Sequence, residues 1–337
     1  MRRFFSPGLY SIHNNWRSVK MRIFLWAFLA LSFFSHSLMA DKAPSLKAGY
    51  SPRQVADGVY VIHGPKGVPS PENQGFMNNP AFVMTADGVV VIDPGSSVQV
   101  GEMVLAQIRK ITDRPVVAVF DTHVHGDHWL GNQAIAEAFP RVRIYAHPKM
   151  IERVEKGAGA QWLEVMMDMT KGATAGTKVV SANSPVDEGS VITVGGVAFH
   201  VLHDGKSHTD NDIMLHLPPK GVIFLGDNAG YGRMLRLNDG SFQGNIRNLN
   251  RALATDARVF VPGHGPTAGP EAATEYRDYL QTVYDGVKEF FEDDLSDFEI
   301  KPKLLPRLAR WKDWTDFDSL VGSHVSLAYL EVEAAEF

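Results

Sequence analysis

Three imidazoles and a carboxylate fall within six consecutive residues, in the stretch His123-Val124-His125-Gly126-Asp127-His128. His123 and His125 are two apart, so in an extended segment both rings leave on the same side. Gly126 permits a sharp bend, after which Asp127 and His128 open a helix and project from its first turn toward a neighbouring point. Nitrogen and carboxylate donors are what zinc prefers, and the spacing suits two adjacent ions. A polar turn carrying three unrelated histidines is the competing reading, and the density of ligands argues against it.

Such a cluster needs elements to hold it. Four short apolar runs, 115–120, 197–202, 222–225 and 258–261, are β-branched or aromatic and read as buried strands. Each leads directly into histidine or aspartate. The first enters the 121–128 segment, and the second enters His203 to Thr209, with His208. The third enters Gly226-Asp227-Asn228, and the fourth Pro262-Gly263-His264-Gly265. Ligands gathered at the carboxyl ends of strands are how layered α/β sheets build sites. Upstream, 58–63 and 81–85 read as strands, and Asp87-Gly88 turns the chain into a hairpin arm at 89–92. Helical patterns cover 98–111, 131–138, 148–171 and 244–254. Alternating strands and helices indicate a layered α/β architecture.

The ordered set His-x-His-x-Asp-His, His-Thr, Gly-Asp after a strand and Pro-Gly-His-Gly resembles the metallo-β-lactamase superfamily over roughly residues 55–270. That resemblance implies an α/β chain with the four-layer αββα fold, and a hydrolase with two Zn2+ per chain. It assigns His123, His125 and His208 to one zinc, and Asp127, His128 and His264 to the other. Asp227 would bridge them together with a hydroxide. Asp127 or Asp227 would handle the proton as catalytic carboxylates, so no serine or cysteine nucleophile is required. Asp93, in Ile92-Asp93-Pro94-Gly95, matches an aspartate that orders the ligand loop; a plain turn residue is the alternative.

Within the superfamily, a histidine at 125 departs from the glutamate of flavin-linked di-iron members, and the absence of cysteine departs from the best-known antibiotic-destroying members. Stretches 207–212, 224–228 and 322–333 are similar to the quinoprotein relay system zinc metallohydrolases, a SoxH-like group. This resemblance implies an exported protein associated with a periplasmic redox system. The expected activity is hydrolysis of an ester, thioester, lactone or lactam-type bond in a small molecule. A β-lactamase in the narrow sense is one alternative. A non-catalytic accessory to a quinoprotein or sulfur-oxidation system is the other.

Other residues invite plainer readings. His203 competes with His208 for the third position, and the threonine after His208 favours the latter. His63, His147, His200, His216 and His324 lack comparable company and read as structural or surface residues. Lys206, Tyr231 and Arg233 flank ligand loops; solvent exposure is the favoured reading over a role in orienting an anionic substrate. The segment 148–171, with Trp162, Met166, Met167 and Met169, reads as an amphipathic helix packed on the core rather than a lid. A helix from Glu271 runs to about Leu295, and Pro302 and Pro306 then break the helical pattern.

Composition sets the outer limits. The 337 residues are 45% apolar and 21% charged, enough for one large core with an attachment. Lys20-Met21-Arg22 precedes an apolar run from Ile23 to Phe34, and Ser37-Leu38-Met39-Ala40 offers a cut site. The run is shorter than the ~20 residues of a spanning helix. The expected organisation is therefore a leader and signal peptide over 1–40, a catalytic domain over 41–270 and a helical extension over 271–337. The destination is periplasmic or secreted, with no stable membrane insertion after cleavage. Five of the 33 basic residues and none of the 38 acidic ones fall in 1–40, so the remainder carries 28 against 38, a net charge of −10. That balance argues against a general nucleic-acid surface.

Overall fold

The computed structural model describes residues 43, 46 and 49–336; the leader expected over 1–40 lies outside them. The chain builds β1 (Arg53–Ala56), β2 (Val59–Val61), β3 (Ala81–Met84), β4 (Val89–Ile92), α1 (Val98–Arg109), β5 (Val116–Phe120), α2 (Gly126–Trp129), α3 (Asn132–Ala138) and β6 (Arg143–Ala146). Then come α4 (Pro148–Arg153), α5 (Gly159–Met169), β7 (Ser184–Pro185), β8 (Val191–Val194), β9 (Val197–Leu202), β10 (Met214–Leu217) and β11 (Val222–Gly230). The last elements are α6 (Phe242–Leu253), β12 (Val259–His264), α7 (Glu271–Glu292), α8 (Asp297–Leu304) and α9 (Phe317–Glu336).

Two sheets result, one ordered β1 to β7 in sequence and the other β12-β11-β10-β9-β8. Their facing sides share one core, in which Val61, Val83, Val90 and Phe120 meet Phe199, Val201, Leu215 and Phe224. The Phe120 and Phe199 rings stack across it at 5.2 Å. The outer face of the first sheet packs on α1, α3 and α4 through residues such as Val104, Ile135 and Met150. That of the second packs on α6, α7, α8 and α9 through Leu249, Tyr276, Ile300 and Val325. Helix, sheet, sheet and helix make four layers, because each sheet has apolar side chains on both faces.

The structure departs from the sequence reading in four places. β11 continues through Asp227 to Gly230, and β12 through His264, so both ligands sit within strands rather than in loops after them. The register between these parallel strands slips on either side of Gly226, which opens room for side chains to meet there. The helical stretch 148–171 is split by a π-turn at Val154–Ala158, where Gly157 has φ of 123°. α7 ends at Glu292, before either proline, with Asp294 in the left-handed region closing it; Pro302 lies inside α8.

The C-terminal helices reach back toward the ligand loops. Glu331 on α9 accepts from the Ser241 hydroxyl at 3.0 Å and from the backbone N–H of Phe242 and Gln243 at 2.7 and 3.0 Å. It therefore caps α6, where a negative charge meets unpaired N–H groups. Ser241 N–H in turn donates to Ser207 O at 2.8 Å, one residue before His208. No helix among the described residues is long and apolar enough to cross a membrane.

Candidate metal centre

Seven side chains from four separate segments converge at one edge of the sandwich. His208 Nε2 lies 2.9 Å from His125 Nδ1, and His128 Nε2 lies 3.4 Å from His264 Nε2. Asp227 stands between the two groups. Its Oδ2 is 3.4 Å from His264 Nε2, 3.5 Å from His208 Nε2 and 3.9 Å from His123 Nε2, while Oδ1 is 3.3 Å from His128 Nε2. Asp127 Oδ2 reaches His264 Nε2 at 3.2 Å and His128 Nε2 at 3.5 Å. His123, His125, His208 and Asp227 form one donor cluster, and Asp127, His128 and His264 a second, each with its ligand atoms within 4.8 Å of one another. His203 is not among them.

Backbone position alone does not aim an imidazole; its second nitrogen does. His128 Nδ1–H donates to Asp93 Oδ2 at 2.8 Å, and His264 Nδ1–H to Met77 O at 2.8 Å. The Thr122 hydroxyl donates to Asp93 Oδ2 at 2.8 Å and accepts from His123 Nδ1–H at 3.0 Å. His125 is reversed: its Nε2–H faces Asp239 Oδ2 at 3.3 Å, which frees Nδ1. These partners leave Nε2 of His123, His128 and His264 and Nδ1 of His125 as lone pairs pointing inward. His123 Nε2 is buried without a hydrogen-bond partner among the described residues. Buried nitrogen facing nitrogen beside two carboxylates is a poor arrangement for polar groups alone and fits a cation between them.

Charge tells the same story. Burial opposes ionising Asp227, yet His264 and His128 outweigh it and hold the carboxyl well below the usual range. Burial likewise opposes ionised Asp127, with His128 and His264 again prevailing. His264 is pushed up to about 9, since Asp227 and Asp127 overcome its burial. His208 goes down to about 3, first by burial. Without a cation, protons on His128 and His264 supply the positive charge that the carboxylates require.

Local sequence explains the scaffold. Asp93 adopts φ of 50°, ends β4 and takes Thr122 N–H at 2.8 Å as well as its hydroxyl, so it ties the ligand loop to the neighbouring strand. Asn79 clamps the Pro262–Gly265 turn through Pro262 O at 2.9 Å and Gly265 O at 2.7 Å. Gly126 serves close approach rather than a special φ, because a Cβ there would lie 2.8 Å from the Trp162 Cβ.

His125, Asp127, His208, Asp227 and His264 line a cavity of about 360 Å³ whose other walls include Met77, Trp162, Met166, Met169, Leu320 and Arg236. Trp162 sets its ring 5.2 Å from that of His125. α5 thus does two jobs: Met166 is buried in the core and also faces the cavity.

The model of the metallo-beta-lactamase superfamily matches residues 74–264, more than half of the chain. The chain belongs to the metallo-beta-lactamase superfamily. It is 27% identical over 268 residues to a linear primary-alkylsulfatase of Pseudomonas sp., covering 68% of this chain and 50% of that protein. It is 29% identical over 177 residues to a hydroxyacylglutathione hydrolase of Nostoc sp., covering 50% of this chain and 57% of the other. The chain therefore spans about half the length of these relatives. Among solved structures, the sec-alkylsulfatase Pisa1 from Pseudomonas sp. superposes with a TM-score of 0.66 at 18% identity, covering 83% of this chain and 50% of that one. A metallo-beta-lactamase from Pontibacter korlensis gives 0.56 at 18%, covering 69% and 99%. These likenesses show the shared fold.

Around this superfamily site, some sequence readings need correction. Arg233 is not solvent-exposed: it is buried, donates to Asp316 Oδ2 at 3.0 Å and lines the cavity. His147 is not without company, for its ring lies 4.2 Å from that of His203. Asp239, Asn79 and Arg236 escaped notice because nothing in their local spacing marks them, whereas Trp162, read as core packing, lines the cavity. Asp239 alone carried a weak signal, an acidic residue in a Gly-flanked turn, Asn238-Asp239-Gly240.

Proposed function

We propose that this chain is an exported hydrolase that holds two metal ions, most simply zinc, and cleaves an ester, thioester, lactone or lactam-type bond in a small molecule. One observation carries the reading: two donor clusters meet at the wall of a cavity, with Asp227 of the first 3.3 Å from His128 and 3.4 Å from His264 of the second. When bound, zinc supplies Lewis acidity and a water whose pKa falls to about 7. His123, His125, His208 and Asp227 would hold one ion; Asp127, His128 and His264, with Asp227 shared, would hold the other.

The chain's own residues do the rest. Asp127 lines the cavity 3.2 Å from His264 and 3.5 Å from His128, so its carboxylate is positioned to take up a proton there. Trp162, Met166, Met169 and Leu320 offer apolar surface against which the substrate's carbon skeleton can pack and exclude water. Arg236, exposed at the wall, is a cationic contact for an anionic group.

The test is a panel of ester, thioester, lactone, lactam and sulfate-ester substrates on metal-loaded protein. Turnover of an acyl substrate that disappears in Asp227→Ala supports the proposal; no turnover with both metals bound overturns it. Sulfate-ester cleavage is a second reading, favoured by the 268-residue match to an alkylsulfatase. Preferential hydrolysis of cephalosporins or carbapenems would select the lactamase alternative. Export and association with a periplasmic redox system rest on residues 20–40 and on the SoxH-like stretches of the sequence.

A further inference from the structure

Outside the superfamily site, three other metal-ligating side chains meet. His147 follows β6 and Asp187 follows β7, both in the seven-stranded sheet, while His203 follows β9 in the five-stranded sheet. One ligand atom from each lies within 4.8 Å of the others. His147 Nε2 is 3.3 Å from Asp187 Oδ1, and the two imidazole rings are 4.2 Å apart. We propose that His147, Asp187 and His203 form a third metal site, for a divalent transition-metal ion such as Zn2+, which pins the two sheets together beside the loop that carries His208.

The donor set selects the class of ion. Two imidazoles and one carboxylate suit zinc, nickel or copper, with water completing the coordination; calcium and magnesium demand oxygen ligands. A plain ion pair accounts for His147 with Asp187, but not for a second imidazole whose ring centre lies 4.2 Å from the first, tilted by 33°. His203 Nδ1–H donates to Asp212 O at 2.8 Å, which fixes the tautomer and leaves Nε2 as a lone pair. His203 is anchored further: its N–H donates to Glu188 Oε2 at 2.6 Å, and Arg251 donates to its carbonyl at 3.0 Å. Asp187 is held through its N–H, which donates to Ser190 Oγ at 3.1 Å. Burial, and then the neighbouring His203, keep His147 below the ordinary histidine pKa and so available as a neutral ligand.

One contact works against binding. His147 Nδ1 accepts from Lys149 N–H at 3.2 Å and caps α4. An ion on Nε2 moves the ring proton to Nδ1 and forfeits that long hydrogen bond. The site therefore fills after the seven-ligand centre, at higher metal concentration. Its reach is structural: Asp212, whose carbonyl holds His203, takes Thr209 N–H at 2.6 Å and its hydroxyl at 3.0 Å. Thr209 adjoins His208, so an ion at His203 stiffens the loop at both ends.

Counting ions tests the proposal without any substrate. The full chain is equilibrated with excess Zn2+ in dialysis and its bound metal is measured beside Asp187→Asn and His203→Ala. The expected result is one ion fewer per chain in each variant, and loss of the last Zn2+-dependent increment in Tm. Asp187 is exposed, so Asp187→Asn retains the fold even if His203→Ala disturbs its loop. Equal ion counts in the wild type and Asp187→Asn overturn the site, whether or not the protein hydrolyses anything.

Discussion

His128 Nδ1 lies 2.8 Å from Oδ2 of Asp93, a residue 35 positions earlier that also takes the N–H and the hydroxyl of Thr122. One carboxylate thereby fixes the tautomer of His128 and the path of the loop delivering His123, His125 and Asp127. Asp93→Ala should keep the fold but weaken metal binding roughly 10–100-fold, as loss of an orienting partner does elsewhere. Competition against a chelator measures this, and unchanged affinity would show that Asp93 is only a turn residue.

Removing a ligand should do more. His128→Ala or Asp227→Ala is expected to bind one metal fewer and to lose most activity, beyond the ~10–100-fold of an outer partner. Metal analysis and kcat/KM on the best substrate decide; a variant with both ions and full activity contradicts the assignment.

Metal uptake should depend on pH with a definite sign. In the metal-free protein His264 is raised to about 9, because Asp227 and Asp127 outweigh its burial. Below that value a cation must displace its proton, so apparent affinity rises from pH 7 and levels off above about pH 9. Calorimetry in buffers of different ionisation enthalpy should register proton release at pH 7 and less at pH 9.5.

Gly263 touches no metal in any reading, yet a Cβ there would lie 2.0 Å from Asp227 Oδ1 and 2.8 Å from the Gly226 carbonyl carbon. Gly263→Ala must displace that carboxylate or part β11 from β12. The expected cost is about 1–3 kcal/mol of stability, with reduced metal content. Thermal unfolding and metal analysis together check both halves.

Behind the cavity wall, His324 donates from Nε2 to O of the cavity-lining Leu235 at 2.9 Å and accepts the Tyr279 hydroxyl at 2.7 Å on Nδ1. Burial lowers its pKa to about 4, against about 6.5 when unfolded. The unfolded chain therefore takes the proton first as pH falls. This contribution is complete above about pH 6.5 and is lost on approach to pH 4, by about 3 kcal/mol. His324→Gln should flatten the dependence of Tm on pH between 7 and 4.5, relative to wild type.

Much of this was legible in the chain itself. The 123–128 cluster, the order of the remaining ligands and the strands ahead of them come from local spacing and residue type. Choosing His208 over His203 needed only the threonine beside it. The limits of β11 and β12 were not legible, since Gly226 and Pro262-Gly263 read as breaks, whereas slipped pairing between two parallel strands accommodates them. The end of α7 falls three residues short of the expected Leu295, where Asp294 at positive φ closes the helix.

Sequence alone thus singled out which side chains could serve as donors, because imidazoles and carboxylates are counted along a line. Only the tertiary structure decided where each one points and what stands opposite. Asp239 on His125, Trp162 over Gly126, Arg233 against Asp316 and His203 beside His147 all join residues from distant segments. Such pairs have no period to read. They exist because sheet order and sandwich packing fix distances that a linear chain leaves free.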